Sequence, residues 1–444
     1  MKGTGIVFGR ILAGLVLGAA LLCGHDASAQ PDEGRTVAYT VTSGDTLIDL
    51  AESWLLRRED YRVVARLNGV TNPRRLAVGR TLRFPVHLLR TRPAVAVVSN
   101  VRGEASVRSG GETRIPGQGE RLQEGAIIAT GANAFVRLEL PDGSHVALPS
   151  QSRVRISRLR RVLLTGGYDQ QFDVLTGRLE AGARPVDAAG RFEIVTPIAV
   201  SAVRGTEFRV AYAAEAGRGA TEVLEGQVGV QAADAALLVQ AGQGVAASAI
   251  GAELASLPSA PTLNDPGRPQ SGEAIVLVPE GVEEAVAYRA RLATDAGLID
   301  AFAETEAPAG QALTFEAIED GEYFVRLTAV SSGGLEGVPA VYSILRVRTG
   351  AAGLQALSGG SGRDRSHLFR WRAEGDRPAE FRFQLSAAGQ DAPPVIDVPG
   401  LTAPEITLSG LEPGVYNWRV RVTTRAYGRT LSTWTEPQEL RIGS

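Results

Sequence analysis

The sequence has very few of the side chains on which many enzymes and metal centres depend. Its 444 residues include one Cys, one Met and four His, and the single lysine is Lys2. The only cysteine, Cys23, lies in an N-terminal segment that we expect to be removed. These shortages exclude a disulfide scaffold, a thiolate metal cluster, a Schiff-base lysine and a cysteine nucleophile. A formal net charge of −3 also argues against a nucleic-acid-binding protein.

Familiar catalytic motifs are missing from the sequence as well. His87, His145 and His367 each stand without a spaced His or Cys partner, and HExxH, GxSxG, P-loop and calcium-loop patterns do not occur. We therefore predict no catalytic residues, no metal site and no cofactor. Glycosidase chemistry needs only two carboxylates, so a glycan-processing enzyme stays open as a second alternative.

The N-terminus has the features of a secretory signal peptide. A positively charged start precedes an apolar run at residues 11–22 that is too short to cross a bilayer, and small residues at 27–29 form a cleavage site. We predict a signal peptide over residues 1–29 and a periplasmic or envelope-associated protein. Lipidation at Cys23 is disfavoured because Leu22 stands where the processing enzyme requires a small residue. No later run reaches the ~18 apolar residues of a membrane span, so none is expected in the mature chain.

Residues 36–90 are expected to form a small module of strand, helix, helix and strand. Apolar residues with helical spacing follow Asp45 or Thr46, either of which can cap the first helix, and Asn68-Gly69 ends the second. This segment resembles the LysM family along its whole length. The matching residues are Tyr39, Val41, Gly44, Asp45, Thr46, Leu47, Leu50, Ala51, Leu67, Asn68, Pro73, Leu76, Gly79, Leu82 and Pro85.

The resemblance to LysM implies a glycan-binding groove between two loops. LysM modules bind glycans that contain N-acetylglucosamine, in bacteria usually peptidoglycan. Backbone amides and short polar side chains would hydrogen-bond the N-acetyl group, with Leu47 and Leu76 as an apolar wall. The alternative is that the first loop is only a turn and a helix cap. The implied groove residues are Gly44, Asp45, Thr46 and Leu47 in one loop and Asn72, Pro73, Arg74 and Leu76 in the other.

The middle of the chain, residues 94–248, alternates short strands with glycine-rich turns. An apolar-x-Gly-x-apolar pattern recurs at Gly103, Gly177 and Gly226, and it predicts bends in a rolled or stacked sheet. This segment resembles the FecR family. The founding members relay an iron-transport signal to a sigma or anti-sigma factor, so a periplasmic regulatory sensor is the first alternative function. The matching stretches are residues 103–107, 125–136, 140–144, 192–197, 200–210 and 225–228.

Five arginines form the densest basic cluster in the sequence. They could bind an anionic wall polymer or an acidic partner. The interpretation that we favour is the solvated face of one strand, in a protein that uses Arg in place of Lys throughout. The cluster consists of Arg153, Arg155, Arg158, Arg160 and Arg161.

The C-terminal third contains a repeat of about ninety residues. After an Ala-, Ser- and Pro-rich linker at residues 249–270, two immunoglobulin-like sandwiches are predicted at residues 271–350 and 363–444. The motif that ends in Tyr416 resembles the tyrosine corner of fibronectin type III domains, and Trp371 is the candidate buried tryptophan of the second unit.

The prediction for the whole chain is a mainly β, multi-domain protein. It combines a small βααβ module, an all-β domain of rolled or stacked sheets and two tandem β-sandwiches. The function expected is that of a non-catalytic exported envelope protein. It would bind peptidoglycan through the module and present its other domains to a protein partner or ligand that the sequence does not identify.

Overall fold

A computed structural model describes residues 35–184, 190–203, 205–360, 365–375, 377–388 and 393–443. The predicted signal peptide lies outside these residues. Within them the chain is mainly β and multi-domain, as the sequence predicts, and it folds around four large hydrophobic cores. In the described part of the chain, helices that are both long and apolar enough to cross a bilayer do not occur.

The first core belongs to a module of two strands and two helices. Leu47, Leu50 and Ala51 follow the helical period and are buried on one face of the first helix. Val162, from the next domain, completes this core, so the module packs against the chain that follows it. The elements are β1 Thr36–Thr40, α1 Leu47–Trp54, a 3₁₀ turn Arg58–Asp60, α2 Tyr61–Leu67, β2 Thr81–Pro85 and a 3₁₀ turn Val86–Leu88, with β1 and β2 antiparallel.

The next eighteen strands form what we call the stacked-sheet domain, residues 91–256. They are β3 Thr91–Pro93, β4 Ala96–Arg102, β5 Ala105–Ser109, β6 Glu112–Arg114, β7 Arg121–Leu122, β8 Ile127–Thr130, β9 Phe135–Glu139, β10 His145–Leu148, β11 Arg153–Val162, β12 Tyr168–Ala183, β13 Arg191–Val195, β14 Ala199–Val203, β15 Thr206–Ala213, β16 Arg218–Glu225, β17 Gln227–Ala232, β18 Ala235–Gln240, β19 Gln243–Ser248 and β20 Gly251–Ser256.

Two sheets enclose the core of this domain and share the long strand β12. One sheet runs β6-β5-β8-β11-β12-β13-β14-β17-β18, with β3 also paired to β11. The other runs β7-β4-β9-β10-β12-β15-β16-β19-β20. The pairing of β12 with β13 is parallel, and the other pairings are antiparallel. The prediction of an all-β domain with a rolled or stacked sheet is thus confirmed.

Strand β12 passes from one sheet to the other at Gly177. Thr176 pairs with Arg153 in the first sheet, whereas Gly177 pairs with Tyr212 in the second. The backbone at Gly177 has φ +82°, and a Cβ there would lie 2.5 Å from the Cα of Ser152. Only glycine fits such a left-handed, crowded position. The predicted bend is therefore confirmed, and its role is to join the sheets.

Two β-sandwiches follow. The first, residues 275–346, has the sheets β23-β22-β25-β26 and β21-β24. The second, residues 351–442, has the sheets β27-β28-β31 and β30-β29-β32-β33, with β34 also paired to β32. Their strands are β21 Ile275–Leu277, β22 Ala285–Ala293, β23 Ala301–Pro308, β24 Leu313–Phe315, β25 Gly321–Ser331, β26 Ala340–Arg346, β27 Ala351–Gly359, β28 Ser366–Ala373, β29 Ala379–Ala387, β30 Pro394–Leu401, β31 Glu405–Ser409, β32 Gly414–Ala426, β33 Arg429–Trp434 and β34 Gln438–Ile442.

Each sandwich contains the same kind of tyrosine contact, at positions that the sequence repeat relates. The hydroxyl of Tyr416 donates to the carbonyl of Glu412 at 3.0 Å, and that of Tyr323 donates to the carbonyl of Glu319 at 3.1 Å. A tyrosine hydroxyl bonded to the backbone a few residues upstream is the tyrosine-corner arrangement. Trp371 is 3% exposed in the second core, so the prediction of a buried tryptophan is confirmed.

Two segments that the sequence suggests as connections are strands. Residues 251–256, within the predicted linker, form β20 and pair with β19. Residues 351–359, between the two predicted sandwiches, form β27, where Leu354 and Ala356 pack partly on the second sandwich core. Both are edge strands of small residues, and such a composition is hard to distinguish from that of a linker because little apolar area marks the buried face.

Candidate functional site

The two loops predicted to form the glycan groove lie side by side. The amide of Leu47 donates to the carbonyl of Pro73 at 2.8 Å, which joins the first loop to the second. Gly44 turns the first loop with φ +94° and is exposed. The strand-to-helix turn and the segment before β2 are therefore neighbours, although 26 residues separate Leu47 from Pro73 along the chain.

Asp45 holds the first loop in shape. Its carboxylate accepts hydrogen bonds from the Thr42 amide at 2.6 Å, the Thr42 hydroxyl at 3.0 Å and the Tyr39 hydroxyl at 2.9 Å. Partial burial would raise the pKa of Asp45, but the hydrogen bonds from Thr42 and Tyr39 outweigh it, and the pKa lies below its usual value. The side chain is thus ionised at neutral pH and is committed to the loop itself.

Thr46, rather than Asp45, caps helix α1. Its hydroxyl oxygen accepts from the Asp49 amide at 3.1 Å, and the hydroxyl donates to the Asp49 carboxylate at 2.6 Å. A threonine oxygen that accepts from an amide of the first helical turn is the usual N-cap arrangement. The side chains of Asp45 and Thr46 therefore form the turn and the helix cap. Only backbone groups of this loop remain for a ligand in the groove.

Leu47 does not line the groove with its side chain. It is 0% exposed and packs in the core of the module, because it is the first of the apolar residues that follow the helical period. The prediction that the side chain of Leu47 forms part of the apolar wall is therefore wrong. Leu76 is half-buried and packs against the edge of the same core, so it is the apolar residue that the two loops present.

The second loop is also ordered by its own hydrogen bonds. The side-chain oxygen of Asn72 accepts from the amide of Arg74 at 3.0 Å, and its carbonyl accepts from the amide of Arg75 at 3.2 Å. Asn72 and Arg74 are exposed, and Pro73 is half-buried between them. The amides of Gly44 and Thr46 donate to no backbone carbonyl among the described residues. These amides and the exposed side chains of Asn72 and Arg74 can hydrogen-bond hydroxyl and acetamido groups.

The arginine cluster on β11 is largely engaged by neighbouring groups. Arg160 donates to the Glu124 carboxylate, with Nε–Oε2 at 2.6 Å, and Arg161 donates to the carbonyl of Gly166 at 3.2 Å. Arg158 lies 3.6 Å from the carboxylate of Glu193. Arg153 and Arg155 point outward from the alternating strand and are exposed. The cluster is thus a strand face with local partners, which agrees with the interpretation that we favour.

A buried network of charges that the sequence analysis missed joins the stacked-sheet domain to the first sandwich. Arg209 is 3% exposed and bridges two carboxylates, Glu222 of its own domain at 3.1 Å and Glu336 of the sandwich at 3.2 Å. Glu180 accepts from two arginines of the sandwich, Arg291 at 3.0 Å and Arg326 at 2.8 Å. The whole network contains five arginines, Arg178, Arg209, Arg289, Arg291 and Arg326, and five glutamates, Glu180, Glu222, Glu304, Glu306 and Glu336.

The arginines keep two of the buried carboxylates, Glu180 and Glu336, ionised. Burial raises the pKa of Glu180, but the charges of Arg291 and Arg326 outweigh it, and the pKa falls well below its usual value. Burial also raises the pKa of Glu336, and Arg289 and Arg209 lower it more strongly. Glu180 therefore depends on the other domain, because both of its arginine partners belong to the sandwich.

The comparisons with known proteins identify two parts of this chain. Residues 39–85 match the model of the LysM domain, and residues 126–229 match that of the FecR protein family. The chain carries a LysM domain and a FecR domain. A comparison with curated proteins gives no match.

Three solved structures have partial likenesses to the chain. A candidate anti-sigma factor from Parabacteroides distasonis is 18% identical with a TM-score of 0.25, over 29% of this chain and 57% of that one. A cytokine receptor complex is 18% identical with a TM-score of 0.25, over 39% and 92%. A two-domain fibronectin type III segment of chicken tenascin is 15% identical with a TM-score of 0.20, over 41% and 99%. The chain spans little more than half the length of the first, and such scores decide neither fold nor function.

The stacked-sheet domain contains the FecR match and is called the FecR domain from here on. It packs against both of its neighbours along the chain. The LysM domain takes Val162 of β11 into its core, and the amide of Leu163 donates to the carbonyl of Arg90 at 3.1 Å. The first sandwich adds the charged network and a small apolar cluster of Ala220, Leu257 and Leu335. No group of three or more potential metal ligands occurs among the residues that the structure describes.

Proposed function

We propose that this chain is an exported, non-catalytic protein of the cell envelope that binds peptidoglycan through its LysM domain. LysM domains bind glycans that contain N-acetylglucosamine, and LysM and FecR domains are typical of envelope proteins. The observation that carries the proposal is the hydrogen bond from the Leu47 amide to the Pro73 carbonyl, because it brings the two loops of the groove together.

The groove is suited to a hydroxyl-rich ligand. The side chains of Asp45, Thr46 and Asn72 already bond to their own loops, so the loops would need little further ordering when a glycan binds. The amides of Gly44 and Thr46 would then donate to an acetamido carbonyl, with Leu76 against the apolar face of a sugar ring. We assign no nucleophile or acid–base pair to the groove.

The FecR domain and the sandwiches would present a binding surface at the wall. In this proposal the LysM domain supplies attachment, and the remaining domains supply an interaction surface for an envelope protein partner or a ligand. The packing of the LysM domain on β11 favours this role, because a partner bound to the FecR domain would stay close to the glycan that the LysM domain holds.

Cosedimentation of the mature chain with peptidoglycan sacculi tests the attachment. The exposed groove residue Arg74 is changed to Glu, which places a negative charge beside an anionic polymer, and the affinity is expected to fall about tenfold. The matched control is Arg83→Glu, the same charge change at an exposed position on β2, where the affinity is expected to stay within about twofold. Equal losses in both variants, or no sedimentation of the unaltered chain, would overturn the proposal.

The same incubation tests the non-catalytic part of the proposal. Soluble glycan fragments released from the sacculi are measured by chromatography after removal of the insoluble wall. We expect none above the buffer control. Release that increases with protein concentration would identify a glycan-processing enzyme instead.

A further inference from the structure

A cavity of about 370 Å³ lies between the FecR domain and the first sandwich. Its walls come from β9, β10, β12 and β15 on one side and from β22, β25 and the turn before β23 on the other. Pockets for small molecules have volumes of roughly 300–1,000 Å³ and tend to form where domains meet. The cavity shares no residue with the LysM groove, so its occupant would be independent of the glycan.

Most of the cavity wall is apolar. Phe135 and Phe208 contribute aromatic surface from the FecR domain, and Leu298, Ile299 and Val341 contribute aliphatic surface from the sandwich. A ligand that fills this space must therefore carry an apolar body, since a fully hydrated one would leave its polar groups without partners.

Arg326 supplies the first polar group on the wall with hydrogen-bonding capacity to spare. It lines the cavity and donates through Nη1 to Glu180 at 2.8 Å, whereas its Nη2 donates to no group among the residues described. Because a guanidinium only donates, a ligand atom that meets it must be an acceptor, and an anionic oxygen is the best acceptor.

His145 supplies the second polar group. It stands on β10 opposite Gly182 of β12, where a Cβ would collide with the imidazole ring, so the glycine makes room for the ring at the cavity wall. Neither ring nitrogen bonds to the described part of the protein. Burial and the charge of Arg137 lower the pKa of His145, so the neutral ring offers one donor and one acceptor.

We propose that this cavity binds a small organic anion with an apolar body, whose acidic group meets Arg326 and His145. Arg209, Arg291 and the carboxylates of Glu180 and Glu207 also line the cavity, and the aromatic and aliphatic residues hold the body of the ligand. Binding there would link occupancy of the cavity to the contact between the FecR domain and the first sandwich, because both domains supply its walls.

The test uses two fluorescent probes that differ only in their charge. 8-Anilinonaphthalene-1-sulfonate is an apolar anion, and N-phenyl-1-naphthylamine is the same body without the sulfonate. The proposal expects one saturable site for the anion on the mature chain. In Arg326→Gln the anion should bind about tenfold or more weakly, since a charged hydrogen bond is lost, while the neutral probe changes little. In the matched control Arg382→Gln, an arginine that pairs with Asp397 in the second sandwich, the affinity should not change.

A second variant tests the location of the site without altering the interface charges. Ala147→Phe places a ring in the half-buried β10 wall, and it should reduce the affinity of the anion about tenfold if the ligand occupies the cavity. The proposal is overturned if the unaltered chain has no saturable site for the anion. It is also overturned if Ala147→Phe binds the anion normally, or if Arg326→Gln and Arg382→Gln weaken it equally.

Discussion

Replacing Gly177 by alanine should destabilise the junction between the two sheets of the FecR domain. The residue has φ +82°, a conformation that costs a residue with a side chain about 1–2 kcal/mol. The added Cβ would also lie 2.5 Å from the Cα of Ser152, so the strand that follows Gln151 must move. Relieving such an overlap in a packed interior costs about 1–3 kcal/mol more. The expected loss of unfolding free energy is therefore about 2–5 kcal/mol.

Hydrogen exchange followed by mass spectrometry measures this loss locally. Amides of β11 and β12 should exchange about thirtyfold faster or more in Gly177→Ala, since each 1.4 kcal/mol is a factor of ten. The matched control is Gly242→Ala, where φ is +80° but nothing lies within 4 Å of the added Cβ, so that only the conformational cost applies. If the two variants lose the same protection, the close approach at Ser152 does not matter and the reasoning is refuted.

Three further predictions concern the helix cap and the charged interface. Thr46→Ala should cost the LysM domain about 1 kcal/mol, seen as faster exchange of the α1 amides, and unchanged exchange would contradict the capping role. Glu336→Gln should cost about 3–5 kcal/mol by calorimetry because it leaves buried arginines without a counter-charge. Glu306→Gln, at a half-exposed position, should cost about 1 kcal/mol or less, and equal costs would refute the distinction. The pKa of Glu180 is lower in the folded protein than in the unfolded chain, so the ionised side chain stabilises the fold. This contribution to the free energy of unfolding is present above the ordinary carboxyl pKa of about 4.3 and should be lost progressively as the pH falls below that value. A melting temperature that rises on acidification would contradict this.

Features that depend on neighbouring residues could be predicted from the sequence. The turn and cap before α1 follow from Asp45 and Thr46, whose short side chains bond to amides three residues away. The bend at Gly177 follows from an isolated glycine within an apolar strand pattern. Tyr416 could be placed in a tyrosine corner because the contact spans only four residues.

Features that depend on which face another domain covers could not be predicted. Arg289 and Arg291 alternate along β22, and Glu304 and Glu306 alternate along β23, the same pattern that a solvated strand face would have. Likewise, Leu47 could belong to either a groove wall or a core, because a helical period marks the apolar face without saying whether a ligand or the protein covers it. The sequence has a single lysine and uses arginine instead, and arginine is the residue that suits buried ion pairs.

The charged interface bears on how the domains are positioned more than on how stable they are. Desolvation of five arginines and five glutamates offsets most of their mutual attraction, so apolar residues of the same volume would hold the domains together about as well. Apolar faces, however, tolerate sliding, whereas paired charges are satisfied in only one docking geometry. Arg209 lies between Glu222 and Glu336. Glu180 lies between Arg291 and Arg326. The cavity between the domains depends on that geometry, because Arg326 belongs to both the network and the cavity wall. A ligand there would therefore be bound by the docked pair of domains and not by either alone.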